Sequence, residues 1–150
     1  MIRALCLTML WFFGADAYSA GPIPNAPFQQ DTSDMRYAND LDSADINVRL
    51  FAARVLLRRA KEAWRVGGRQ NESLRVIEAR QRLANFDEIV APRCTRLIDI
   101  RNIQHPCVKI LGLLESRNSL QRLKSIDTTK LNRCRKSAVQ QAIRRIERNQ

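Results

Sequence analysis

Residues 44–66 contain the most regular pattern in the chain, an apolar stripe with helical spacing. Six residues recur at alternating intervals of four and three positions: Ile46, Leu50, Ala53, Leu57, Ala60 and Trp64. This spacing places them on one face of an α-helix. Additional apolar residues beside the stripe widen that face, and Gly67-Gly68 is a typical helix end. A helix with so wide an apolar face has to be covered by other elements, so we predict that it is the central helix of the fold.

Three further helices are predicted around it. Val76, Ala79, Leu83, Phe86 and Val90 repeat the same intervals and indicate a second helix, capped by Asn71 or Ser73 and ended by Pro92. A third helix is expected over residues 107–124 and a fourth from an Asp127 cap to about residue 148. Residues 93–106, closed by His105-Pro106, fit either a short helix or a strand. The predicted fold class is therefore all-α, a small bundle of about four helices.

The N-terminus has the pattern of an export signal. Arg3 precedes an apolar run over residues 4–13, and Ala15-Asp16-Ala17 follows as a small-residue exit. The run is too short to cross a bilayer, which needs roughly 20 apolar residues. We predict a signal peptide over residues 1–17, cleaved after Ala17 or Ala20, and a periplasmic or secreted mature protein without a transmembrane span.

Two segments of opposite charge follow the predicted signal. Residues 18–43 are rich in proline and then acidic, and we predict an extended leader there. Residues 44–150 form the predicted helical domain, and they are strongly basic, with a net charge of +11 for the whole chain. The acidic leader could pack against the basic domain of its own chain. Alternatively, the domain is basic because it binds an anionic partner, or because a GC-rich genome favours arginine codons.

The anionic-partner hypothesis has defined candidate residues. A basic stripe runs beside the apolar stripe of the central helix, and the last helix adds two arginines; the candidates are Arg54, Arg58, Lys61, Arg65, Arg144 and Arg145. Arginine binds phosphate well because its planar guanidinium group donates paired hydrogen bonds. The expected ligands are lipid headgroups or lipopolysaccharide. Nucleic acid is disfavoured because aromatic residues do not interleave with the arginines.

Three cysteines remain after the predicted cleavage: Cys94, Cys107 and Cys134. In an oxidising compartment we expect one disulfide and one remaining thiol, which could link a dimer, but three pairings are possible. Cys94, His105, Cys107 and Cys134 together are also a weak candidate set for zinc. The long gap from Cys94 to Cys107 and the lack of a C-x2-C pair argue against this set.

No motif for catalysis or cofactor binding is present, so we predict a non-catalytic binding protein without a cofactor. Two other functions remain open at this stage. One is a secreted effector or host-interacting protein that acts through protein–protein contacts. The other is a metal-sequestering protein that uses the Cys/His set.

Two segments resemble the UrcA family of small exported bacterial proteins. The first is Tyr37-Ala38-Asn39-Asp40-Leu41-Asp42-Ser43 with the following Arg/Ala-rich helix, and the second is the Cys134-Arg135-Lys136-Ser137-Ala138 stretch of the last helix. The resemblance implies a periplasmic protein of uncharacterised activity, with Cys94 or Cys107 as the disulfide partner of Cys134. The sequence differs from the family pattern in two places. Trp64 lies near the position where the family has its first cysteine, and the connection over residues 66–126 is longer than in the family. The resemblance supplies no functional residues.

Overall fold

The computed structural model describes residues 32–149, and every regular element in that range is helical. Seven α-helices follow one another: α1 (Thr32–Asp40), α2 (Ile46–Gly67), α3 (Leu74–Ile89), α4 (Ala91–Leu97), α5 (Arg101–Leu114), α6 (Leu120–Lys124) and α7 (Arg133–Arg148). Two 3-10 turns, Arg117–Ser119 and Thr128–Lys130, lie on either side of α6. The all-α class is confirmed for this range. The predicted signal peptide and residues 18–31 of the predicted leader lie outside it.

Helix α2 is central, as its pattern predicts. Asp45 caps it by accepting a hydrogen bond from the backbone N–H of Asn47 at 2.7 Å. Its buried face packs against α1, α3 and α5. Small residues such as Ala52, Ala53 and Ala60 are fully buried there, which allows the neighbouring helices to approach closely.

The turn between α2 and α3 is held by one arginine. The side chain of Arg80 donates hydrogen bonds to the carbonyl oxygens of Gly67 at 3.0 Å and Arg69 at 3.1 Å. The Gly67 carbonyl belongs to the last residue of α2, where backbone acceptors have no partner within the helix, and the Arg69 carbonyl lies two residues beyond it in the turn. Arg80 therefore satisfies them and fixes α3 beside α2.

The count of four helices is wrong, and prolines account for part of the difference. Pro92 does not end an element but lies in the first turn of α4, where its missing N–H would have no partner in any case. Pro106 lies inside α5, so His105-Pro106 does not close the segment before it. Pro106 removes one backbone hydrogen bond of α5, and the burial of Pro106, Cys107 and Val108 in the core offsets part of that cost.

The predicted third and fourth helices also have different bounds. Helix α5 ends at Leu114, before residue 124 is reached, because the following residue, Glu115, adopts a left-handed conformation (φ 53°). The chain then makes the first 3-10 turn and α6. Asp127 caps the second 3-10 turn, and Asn132 caps α7 by accepting from the backbone N–H of Arg135 at 3.0 Å.

The prediction of an extended leader over residues 18–43 is wrong for residues 32–40, which form α1. Ala38 and Leu41 are fully buried in the common core. The buried carboxylate of Asp34 forms ion pairs with Arg59 of α2 and, at 3.0 Å, with Arg82 of α3. The acidic segment therefore packs against the basic domain of its own chain.

Asp42 extends this packing to α4. Its carboxylate accepts hydrogen bonds from Arg93 and Arg96, each at 2.8 Å. Partial burial alone would raise the pKa of Asp42, but the hydrogen bonds and charges of the two arginines outweigh it and hold the pKa below its ordinary value.

Within residues 32–149, no helix combines the length and apolar character that a membrane-spanning segment requires.

Candidate functional site

A groove of about 250 Å³ lies where α2, α5 and α7 meet, and we call it the basic groove. Its floor is apolar and consists of Val108, Gly112, Leu113, Ala138 and Ala142. Gly112 and Ala142 face each other so closely that a Cβ atom on Gly112 would lie 2.8 Å from both Cα and Cβ of Ala142. Helices α5 and α7 therefore cross in near backbone contact beneath the groove.

Four cationic side chains line the same groove: Lys61, Arg65, Lys109 and Arg145. The groove has no acidic lining residue. None of the four is in an ion pair with a carboxylate within residues 32–149. No carboxylate of the described part of the chain therefore neutralises their positive charges by direct pairing.

Trp64 forms an aromatic wall of the basic groove and is 40% exposed. The guanidinium carbon of Arg145 lies 4.9 Å from the centre of its ring, a cation–π distance. This contact orients the Arg145 side chain without neutralising its charge. The groove consequently combines fixed positive charge with an apolar floor and an aromatic wall, an arrangement suited to a ligand with an anionic end and an apolar part.

The six cations proposed from the sequence do not form one surface. Lys61, Arg65 and Arg145 line the basic groove. Arg54 lines a second groove, while Arg58 and Arg144 are exposed and line neither. The sequence interpretation missed Lys109 and Trp64. Trp64 was assigned to the buried stripe, and Lys109 belongs to α5, whose packing against both α2 and α7 the sequence does not show.

The second groove is lined by Arg54 of α2, His105 and Asn102 of α5, and Cys134 and Arg135 of α7. The Nδ1 atom of His105 is buried and has no hydrogen-bond partner within residues 32–149. Burial lowers the pKa of His105 below its ordinary value, and the positive charges of Lys109, Arg135 and Lys61 lower it further. His105 therefore lies in a positive electrostatic field to which both grooves contribute.

The four residues proposed as a weak metal set are separated into two pairs. Cys94 and Cys107 contact each other in the core as free thiols, and both are fully buried. His105 and Cys134 line the second groove, and Cys134 is exposed there. No three Cys, His, Asp or Glu side chains in the described range come together as metal ligands.

Comparison with known proteins identifies no relative. No family model matches the chain, and neither a curated protein nor a solved structure matches it. The resemblance to the UrcA family therefore stays a prediction.

Proposed function

We propose that this is an exported, non-catalytic bacterial envelope protein that binds a phosphate-bearing amphiphile, a lipid headgroup or lipopolysaccharide, in the basic groove. The observation that supports this function is the set of four cations without carboxylate partners around an apolar floor. Export is inferred from the pattern of residues 1–17, and the resemblance to the UrcA family is consistent with it.

The contrast with the rest of the surface supports a specific role for the groove. Asp34 and Asp42 between them pair with Arg59, Arg82, Arg93 and Arg96, on the side of the fold where α1 packs. Cations without a carboxylate partner also lie elsewhere on the described surface, Arg58 and Arg144 among them. What distinguishes the groove is that three helices bring four such cations to one concave site, which also contains a partly exposed tryptophan.

The first test measures binding of the mature protein to vesicles that contain phosphatidylglycerol, with phosphatidylcholine vesicles as the neutral reference. We expect binding to the anionic vesicles only, with a steep loss between low and high salt because mobile ions screen the attraction. Binding that is independent of salt, or no binding to either vesicle, contradicts an anionic ligand.

A matched pair of double variants tests the location of the site. Lys61→Gln with Lys109→Gln removes two charges from the basic groove, and Arg58→Gln with Arg144→Gln removes two charges outside it. A basic residue near an anionic surface contributes about 1 kcal/mol. We therefore expect the groove pair to weaken binding about 10- to 30-fold and the outer pair only a few-fold. Equal losses would show that net charge, and not the groove, determines binding.

A second candidate function is binding of another protein, as for a secreted effector or host-interacting protein. Phe51 is 59% exposed on α2 and Leu74 is 71% exposed at the start of α3, with Ile46, Val48 and Ile77 also partly exposed. Exposed apolar residues of this size are common at protein interfaces. Fractionation of the source cells separates the two functions, because retention in the periplasm favours the envelope ligand and release into the medium favours the effector.

A further inference from the structure

We infer that Cys94 and Cys107 form a disulfide bond that joins α4 to α5 within the core, and that Cys134 remains a free thiol. This inference goes beyond the proposed function and does not depend on the ligand of the basic groove. Of the three pairings that the sequence leaves open, the structure favours one.

The first argument is proximity. The two thiols lie 2.8 Å apart, and the contact joins residues on two different helices. A covalent S–S bond is about 2.05 Å long, so a small movement of the two side chains is enough to form it. Cys134 is exposed on α7 and does not join this pair.

The second argument is burial. Cys94 and Cys107 are both fully buried, among residues such as Ile98, Ile103 and Leu111. Burial and the neighbouring Cys107 raise the pKa of the Cys94 thiol well above its ordinary value, so little thiolate is present in the folded protein. A reductant would have to reach the buried sulfur atoms and expel a thiolate of high pKa, so a disulfide made before the core closes should resist reduction afterwards.

The bond forms by exchange with the disulfide of another molecule, which is the oxidant. This molecule is either a small compound such as oxidised glutathione or an oxidoreductase. One cysteine thiolate attacks this disulfide, which forms a mixed disulfide and releases one thiolate. The thiolate of the other cysteine then attacks the protein sulfur of the mixed disulfide and displaces the second thiolate. The two protein thiols lose two protons and two electrons, and the oxidant is reduced to two thiols.

Peptide mapping tests the pairing on the unmodified chain. The protein is refolded in a glutathione redox buffer, alkylated in denaturant and digested with trypsin without reduction. Trypsin separates the three cysteines into residues 94–96, 102–109 and 134–135. We expect peptide 94–96 linked to 102–109, with Cys134 alkylated. A link from either peptide to 134–135, or alkylation of all three cysteines, overturns the inference.

Thermal unfolding with and without reductant provides a second readout that needs no substitution in the core. Because the folded protein should resist reduction, it is reduced in denaturant and refolded with reductant present, which leaves the loop of residues 94–107 open. We expect Tm to be lower by about 10 °C in this form. The Cys134→Ser variant is the matched control and should show the same fall. A Tm that is unchanged by complete reduction, or a fall that disappears in Cys134→Ser, contradicts the Cys94–Cys107 bond.

Discussion

The crossing of α5 and α7 under the basic groove predicts the effect of adding one methyl group there. In Gly112→Ala, the new Cβ atom would lie 2.8 Å from the Cα and Cβ atoms of Ala142, and a backbone atom cannot rotate away as the end of a long side chain can. Gly112 does not have a positive φ, so its backbone conformation is open to alanine. The expected effect is therefore steric.

The magnitude follows from two opposing contributions. Forcing a methyl group into a closely packed contact costs about 1–3 kcal/mol, because the helices have to move apart. Replacing a helical glycine by alanine returns about 1 kcal/mol through helix propensity. We expect Gly112→Ala to lower the free energy of unfolding by about 1 kcal/mol. Binding to anionic vesicles should weaken as well, because the lining residues of α5 and α7 are displaced from one another.

Urea unfolding followed by circular dichroism measures this change, and Gly67→Ala is the matched control. A Cβ atom at Gly67 would lie 3.4 Å from the flexible Arg80 Cγ, an ordinary contact. The control should be as stable as the original protein or up to about 0.5 kcal/mol more stable. If Gly112→Ala is as stable as Gly67→Ala, the close crossing is refuted.

Two further predictions concern charged and titratable groups. Asp34→Ala should lower the free energy of unfolding, measured in urea titrations, by about 2 kcal/mol, because Arg59 and Arg82 lose a buried partner but stay partly hydrated. An unchanged free energy of unfolding would contradict the docking of α1. The folded protein holds the pKa of His105 below its unfolded value of about 6.5. The free energy of unfolding should therefore fall as the pH is lowered from about 7 through the folded pKa, and His105 should cause no further fall at lower pH. In His105→Gln, the free energy of unfolding, measured with denaturant between pH 7.5 and 5, should depend less on pH than in the original protein. An equally steep pH dependence would show that other groups cause it.

The success of the sequence interpretation depended on how local each signal was. The bounds of α2 were predictable to within two residues because its apolar spacing and Gly67-Gly68 are signals within one segment; the structure starts the helix at Ile46 with Asp45 as its cap, and not at residue 44. Helix α1 was missed because its residues are mostly polar, and it is stabilised by contacts with α2 and α3, such as the ion pairs of Asp34. Pro92 and Pro106 were misinterpreted because a proline indicates a helix end by itself, whereas its position within the helix decides whether it is tolerated.

The candidate site was predictable to a similar extent. Lys61 and Arg65 were identified because both belong to the basic stripe of α2, and Arg145 because it belongs to the basic side of α7. The sequence could not show that α5 lies between these two helices and contributes Lys109. It also could not separate Arg58 and Arg144 from the others, since a stripe on a helix does not show which part of it a neighbouring helix converts into a groove.

The positive field of the basic groove connects the proposed ligand with the protonation of His105. Lys61 and Lys109 line the groove, and both lower the pKa of His105. An anion bound between them would offset part of their charge at His105 and so raise the pKa of the imidazole. By thermodynamic reciprocity, protonation of His105 would strengthen binding of that anion by the same coupling free energy. Ligand binding, measured with phosphatidylglycerol vesicles, should therefore tighten as the pH falls through the range in which His105 titrates, and this pH dependence should disappear in His105→Gln.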